Sequence, residues 1–172
     1  MNLWGVVHGV RTFLPIMLAQ DAPGHVVNTA STAGLSTGPN LGIYGVSKHA
    51  VVRLSEALYF QLEEMDAQVG CSVLCPGGVR TRIAASDRNR PDELLEAAVR
   101  PTAEEVEQRS QQWAERISEQ GKDPSEIADS VLAAIEDERF YILTHETADA
   151  VIRMRMESIL ARRNPVMPAP PA

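Results

Sequence analysis

Apolar side chains recur at helical spacing from the start of the chain. Leu3, Val6, Val7, Val10, Phe13, Leu14 and Met17 lie three or four residues apart, which predicts a helix over residues 3–18. Asp21-Ala22-Pro23-Gly24 breaks that pattern, and the β-branched, mostly apolar His25 to Ala30 predicts a short strand. Helical spacing returns at Val51, Leu54, Leu58, Leu62 and Met65, predicting a long amphipathic helix over 44–64. Val69 to Leu74 is a mostly apolar run of strand length that predicts a second strand, and Phe140 to Leu143 predicts a third. Helices are predicted over 92–99, 103–120, from 124 to about 137 and over 148–162. The third of these has a clear start in Asp123-Pro124-Ser125-Glu126, where Asp caps, Pro takes the first helical position and Glu follows in the first turn.

Strands alternating with helices place the chain in the α/β class, as one domain over residues 1–163. Its 172 residues suffice for a sizeable core, and 44% apolar with 23% charged residues is an ordinary globular mixture. Charge is unevenly spread: residues 1–81 hold nine charged side chains, whereas residues 82–123 hold seventeen. That second stretch is expected to be solvated, either as a mobile lid over a ligand site or as a plain surface helical pair. The Pro-rich end, residues 164–172, is expected to be a disordered tail. There is no internal repeat.

Net charge is −7, and no Lys/Arg run is long enough to follow a phosphate backbone, so nucleic acid is not an expected partner. Cys71 and Cys75 sit in the apolar run 69–74 and at its end, where two buried thiols are expected. Together with His8, His25, His49 and His145 they show no ligand spacing, so no metal site is expected. A reducing, cytoplasmic setting is the default for such thiols. The first apolar stretch contains His8 and Arg11 and is too short to cross a bilayer, which leaves a core helix and no membrane association.

The candidate chemistry lies in Ser31 to Lys48, S-T-A-G-L-S-T-G-P-N-L-G-I-Y-G-V-S-K. Tyr44 and Lys48, four apart at the start of a predicted helix, project from one helix face. Ser31 ends the preceding strand, and in open α/β sheets that edge is where ligands bind. The three side chains are thus able to meet at one substrate oxygen, with the lysine lowering the phenol's pKa. The intervening glycines Gly34, Gly38 and Gly42 do not form G-x-G-x-x-G and predict a turning connection instead. Thr29-Ala30-Ser31-Thr32-Ala33 lacks the glycines of a nucleophile elbow, which argues against a serine hydrolase. After the second strand, Pro76-Gly77-Gly78 is either a plain turn or one that lets backbone approach a ligand closely.

Ser31 thirteen positions before Tyr44, Ser47 before Lys48, the glycine-rich loop, Pro76-Gly-x-Val79-x-Thr81 and Asn2-x-x-Gly5 occur together in one order. That combination resembles the short-chain dehydrogenase/reductase family, over roughly the C-terminal two thirds of its domain. The resemblance implies a partial Rossmann-like, doubly wound parallel sheet, of which these are the last three strands. It implies an NAD(P)-dependent oxidoreductase interconverting a secondary alcohol and a ketone, with NAD or NADP as cofactor and a small alcohol or carbonyl compound as substrate. Carried over by residue, Tyr44 is the general acid/base and Ser31 hydrogen-bonds the substrate oxygen. Lys48 lowers the Tyr44 pKa and holds the nicotinamide ribose, and Asn2 holds a relay water through its backbone carbonyl. Pro76, Gly77, Val79 and Thr81 line the nicotinamide end. Homo-oligomers formed through helices 3–18 and 44–64 are also implied. The family's first nucleotide-binding βαβ units have no counterpart here, so the first strand is expected to have an open edge. Met1 stands where the family often has Val, and two expectations follow, a start assigned at an internal valine codon of a longer protein or a truncated product. A non-catalytic fragment acting through dimerisation or partner binding is the alternative function.

Overall fold

The structure, a computed structural model, describes residues 2–38, 42–89 and 103–166. Three strands, β1 (Gly24–Thr29), β2 (Val69–Cys75) and β3 (Tyr141–Leu143), form a parallel sheet in the order β1-β2-β3. Gly24 pairs with Val69 through to Thr29 with Leu74, and Val73 pairs with Tyr141 through to Cys75 with Leu143. Parallel neighbours need crossover connections, and helices supply them. They are α1 (Trp4–Ala19), α2 (Gly42–Glu64), α3 (Ala103–Gln120), α4 (Pro124–Glu136) and α5 (Thr147–Leu160). Every described element predicted from the apolar pattern is present, with ends within two residues. The predicted helix over 92–99 lies outside the described residues. Two short helical stretches were not predicted, a 3₁₀ turn at Thr32–Gly34 and a stretch over Arg82–Asn89 kinked at Ala85.

β2 reads as a mostly apolar run because it is the central strand of the three. All of its residues except Gly70 are buried, whereas in β1 only Asn28 is. The chain divides into two compact units, residues 1–77 with 129–172 and residues 78–128. The first holds the sheet and two core clusters. Ala30, Val51, Val52, Val73 and Cys75 form one, with Leu3, Val6, Leu35 and Phe140 packed on it. Leu58, Leu62, Val69 and Cys71 form the other, against which α1 lays Val10, Leu14, Met17 and Leu18. In the second unit Val79 bridges to Lys122, the Arg80 amide donates to the Lys122 carbonyl at 2.9 Å, and the Arg80 guanidinium meets the Gly121 carbonyl and Asp123.

Candidate active site

α2 begins at Gly42, whose φ of +34° lies in the left-handed region that suits glycine. Its first two turns carry Tyr44 and Lys48. The Lys48 ammonium lies 5.9 Å from the centroid of the Tyr44 ring and donates to the carbonyl of Thr29, the last residue of β1, at 3.1 Å. One ammonium hydrogen is engaged there, and an ammonium has three. Lys48 is half-buried, and that desolvation lowers its pKa from the usual lysine value, with Cys75 acting in the opposite sense. The Tyr44 side chain is 39% exposed. The Ser47 hydroxyl turns back along the helix to the Tyr44 carbonyl at 2.7 Å.

Ser31 stands two residues beyond the end of β1 and caps the 3₁₀ turn that follows. Its Oγ accepts from the Ala33 amide at 3.2 Å and donates to the Pro76 carbonyl at a long 3.4 Å. The Thr32 amide donates to the same carbonyl at 3.0 Å, so the ends of β1 and β2 are tied together beside the serine. Cys75 lies beneath, with its sulfur bonded by the Ser31 amide. Burial pushes its thiol up to about 11, against the Ser31 bond and the Lys48 charge, both of which act to lower it.

The glycine-rich loop also has a packing role. A Cβ on Gly34 would lie 2.8 Å from the Lys48 carbonyl oxygen and 3.1 Å from Val52, so the missing side chain lets the 3₁₀ turn rest on the α2 backbone. The His49 ring donates from Nδ1 to the Gly34 carbonyl at 2.7 Å and fastens that contact. Farther along the loop, Arg155 of α5 donates to the Leu35 carbonyl at 3.4 Å and is half-buried, not free on the surface. A depression of about 200 Å³ opens beside it, lined by Thr37, Met154, Ser158, Ile159 and Val166.

At the end of β2, the close approach that glycine permits is made to His145. A Cβ on Gly77 would sit 2.8 Å from the imidazole Cγ. The Gly77 amide donates to His145 Nδ1 at 3.1 Å, and the Thr144 hydroxyl lies 2.8 Å from the same nitrogen. Nothing in the spacing of the sequence marks His145 or Thr144. The available hint is that they follow directly on β3, at the strand end where open α/β sheets bind ligands. Asn2 is exposed in the turn before α1, and its neighbour Leu3 packs on the cluster that contains Ala30. Val79 and Thr81 belong to the second unit, where Val79 bridges to Lys122 and Thr81 is exposed, its Oγ1 accepting from the Ile83 amide at 3.4 Å.

The structure thus brings Tyr44 to Lys48 and Ser31 to Pro76, with the Ser31 amide and the Lys48 charge both acting on Cys75. Among the described residues no group of three or more His, Cys, Asp or Glu side chains is placed to hold a metal, and no helix is long and apolar enough to cross a membrane.

Comparison with known proteins fits this geometry. The family model described as short chain dehydrogenase matches residues 1–92, a stretch that includes Ser31, Tyr44, Lys48 and the Pro76 turn. The chain belongs to the short-chain dehydrogenase family. It is 33% identical to a CLA biosynthesis dehydrogenase/reductase of Lactiplantibacillus plantarum, over 93% of this chain and 56% of that protein. It is 32% identical to a 1-deoxy-11-beta-hydroxypentalenate dehydrogenase of Streptomyces avermitilis, over 90% of this chain and 47% of that protein. The crystal structure of a short-chain dehydrogenase/reductase from Burkholderia phymatum in complex with NAD superposes with a TM-score of 0.87 at 46% identity, over 98% of this chain and 59% of that one. The chain spans about half the length of the curated relatives it matches. Its sheet and flanking helices are part of this family's Rossmann-like fold.

Proposed function

We propose that these residues form the catalytic part of an NAD(P)-dependent oxidoreductase that interconverts a secondary alcohol and a ketone. The observation that supports this most directly is the Lys48 ammonium, anchored on the Thr29 carbonyl and 5.9 Å from the centre of the Tyr44 ring. A cation held beside a phenol stabilises the negative charge that develops on its oxygen during proton transfer. Tyr44 then serves as general acid toward a substrate carbonyl and as general base toward the alcohol. Ser31 holds the substrate oxygen, exchanging its long bond to the Pro76 carbonyl for one to substrate. Asn2 supports the proton relay through a water on its backbone carbonyl.

The donors present fit the nicotinamide ribose end of the cofactor. An ammonium has three hydrogens and the Thr29 carbonyl takes one, so Lys48 is able to meet ribose hydroxyls as well. Tyr44 is open to the surface, and the family resemblance assigns Pro76, Gly77, Val79 and Thr81 to the carboxamide side. A nicotinamide bound there supplies or accepts the hydride. No glycine-rich phosphate loop occurs in the 172 residues, so the fit extends to that end alone. The similar Burkholderia phymatum structure was solved with NAD, and a Burkholderia cenocepacia short-chain dehydrogenase of the same fold, 20% identical, was solved with NADP. The cofactor is therefore proposed as NAD(P), with a small alcohol or carbonyl compound as substrate. Replacing Tyr44 with Phe in an active form of the protein should abolish turnover and spare cofactor binding. Unchanged turnover would remove the assigned mechanism.

A second reading is association without turnover. It is favoured by Trp4, Phe13 and Ile16 on α1 and Ile43, Val46 and Phe60 on α2, all more than half exposed. The same faces support a homo-oligomer formed through these two helices. Fluorescence titration with NADH and NADPH separates the readings: saturable binding favours the enzyme, and none favours the associating fragment.

A further inference from the structure

We propose that His145 is a positioning residue for the reaction, one that holds the Pro76-Gly77 turn in its cofactor-ready form by accepting the Gly77 amide on an unprotonated Nδ1. The proposal rests on the oxidoreductase function above, since that function gives the turn its task.

The hydrogen bonds decide the state of the ring. The Gly77 N–H points at Nδ1 from 3.1 Å, so Nδ1 carries no proton. The Thr144 hydroxyl, 2.8 Å from the same atom, must then donate to it as well. The Gly77 bond requires a neutral ring protonated on Nε2. The opposite tautomer would set N–H against the Gly77 N–H and lose that bond, with Nδ1–H left to donate to the Thr144 hydroxyl. Thr144 is buried at 6% exposure, and the imidazole lies so close over Gly77 that no Cβ would fit beneath it. Sequence places Thr144 and His145 directly after β3, and β3 pairs with the end of β2 that leads into Pro76. The sheet register therefore delivers the imidazole to the turn. The turn is fixed on its other side by Ser31 and Thr32, both donating to the Pro76 carbonyl. The Pro76-Gly77 backbone is thus held from β1 on one side and from β3 on the other. A ligand wall fixed in advance loses less freedom when it binds.

Two substitutions separate the role of the acceptor from that of bulk. The carboxamide oxygen of Asn falls near the place of Nδ1, whereas that of Gln reaches toward Nε2. His145→Asn should therefore keep the Gly77 amide bonded, and His145→Gln should release it. The first measurement is long-range proton–nitrogen NMR of the unsubstituted chain, where Nδ1 should be unprotonated and Nε2 protonated. The opposite assignment overturns the proposal. The second is fluorescence titration with reduced nicotinamide mononucleotide, a probe confined to the end of the cofactor that the residues fit. His145→Gln should weaken binding about tenfold, which is about 1.4 kcal/mol, and His145→Asn by less than about threefold. Thermal unfolding of both variants checks that they fold, and hydrogen exchange at the Gly77 amide should quicken in the Gln form alone. Equal affinity of the unsubstituted, Asn and Gln forms sinks the positioning role and leaves the oxidoreductase function standing. No saturable binding by the unsubstituted protein sinks both.

Discussion

α1 and α2 flank the same sheet and differ in a way that runs against their composition. α1 has one charged residue, Arg11, among sixteen positions, yet none of its side chains is fully buried, and Trp4 and Phe13 stand 64% and 63% exposed. α2 carries Lys48, Arg53, Glu56, Glu63 and Glu64 and buries Val51, Val52, Ser55, Leu58 and Leu62. Burial follows what an element packs against, not how apolar it is. α2 lies over β2, the strand with neighbours on both sides, and its buried residues join both core clusters. α1 lies on β1 and turns only Val10, Leu14, Met17 and Leu18, with Leu3 and Val6, toward the core. A helix that must hold Tyr44 and Lys48 still needs a firm bed, and α2 has one.

Four experiments bear on that contrast. The largest effect is expected at the face of α2 that carries Tyr44 and Lys48. Tyr44→Phe in an active form should lower turnover by about 10² to 10⁴-fold, the usual worth of a positioned acid/base group, in a steady-state assay. Retained turnover would mean that α2 holds no such group. Next comes the seat of α2 on the loop. Gly34→Val places side-chain atoms against the Lys48 carbonyl and should destabilise the protein by ~1–3 kcal/mol, read by chemical denaturation.

A separate effect should come from alkali. Cys71 and Cys75 lie beneath α2, packed with Leu58 and Leu62 and with Val51 and Val52, and burial raises both thiols to about 11 from about 9. The folded state therefore holds these protons longer than the unfolded chain does. The stability they contribute is complete below pH 9 and is lost as pH rises toward 11. Denaturation midpoints that stay flat over that window in the unsubstituted protein, compared with a Cys71→Ala, Cys75→Ala variant, would contradict this. The smallest effect on stability belongs to α1. Phe13→Ser with Ile16→Ser should change unfolding free energy by no more than about 0.5 kcal/mol at each position, as for ordinary surface sites. The same pair should weaken self-association in analytical ultracentrifugation, and an unchanged sedimentation profile would mean that this face is not a contact between copies.

Most of the elements were legible because each follows one apolar pattern, a period of 3.6 for the helices or a mostly apolar run for β2. Tyr44 and Lys48 were legible because their meeting is local, four residues apart on one helix. Ser31 was only partly so. Its place near the end of β1 follows from the strand, but its bond to the Pro76 carbonyl joins residues 45 apart, which no local spacing encodes. His145 shows the same limit more fully, since its contact with Gly77 spans 68 residues and depends on β3 pairing beside β2. The glycines were read as turning points. For Gly34 the deciding fact was a backbone-to-backbone approach that only packing reveals. The start of the second unit at residue 78 lies near the rise in charged residues seen from 82 onward.

The register of the sheet also has a consequence for how the chain reaches this state. Val26 must find Cys71, and Val73 must find Tyr141, partners 45 and 68 residues apart, while each helix closes within its own span. Parallel pairing over such separations closes long loops before any strand bond rewards them. α2 should therefore be helical early, with Tyr44 beside Lys48 and without anything to act on. The lysine reaches the Thr29 carbonyl, and the imidazole reaches Gly77, only when the last strand pairs come into register. In kinetic terms, the geometry of the candidate site should be complete only once these long-range strand pairs have formed.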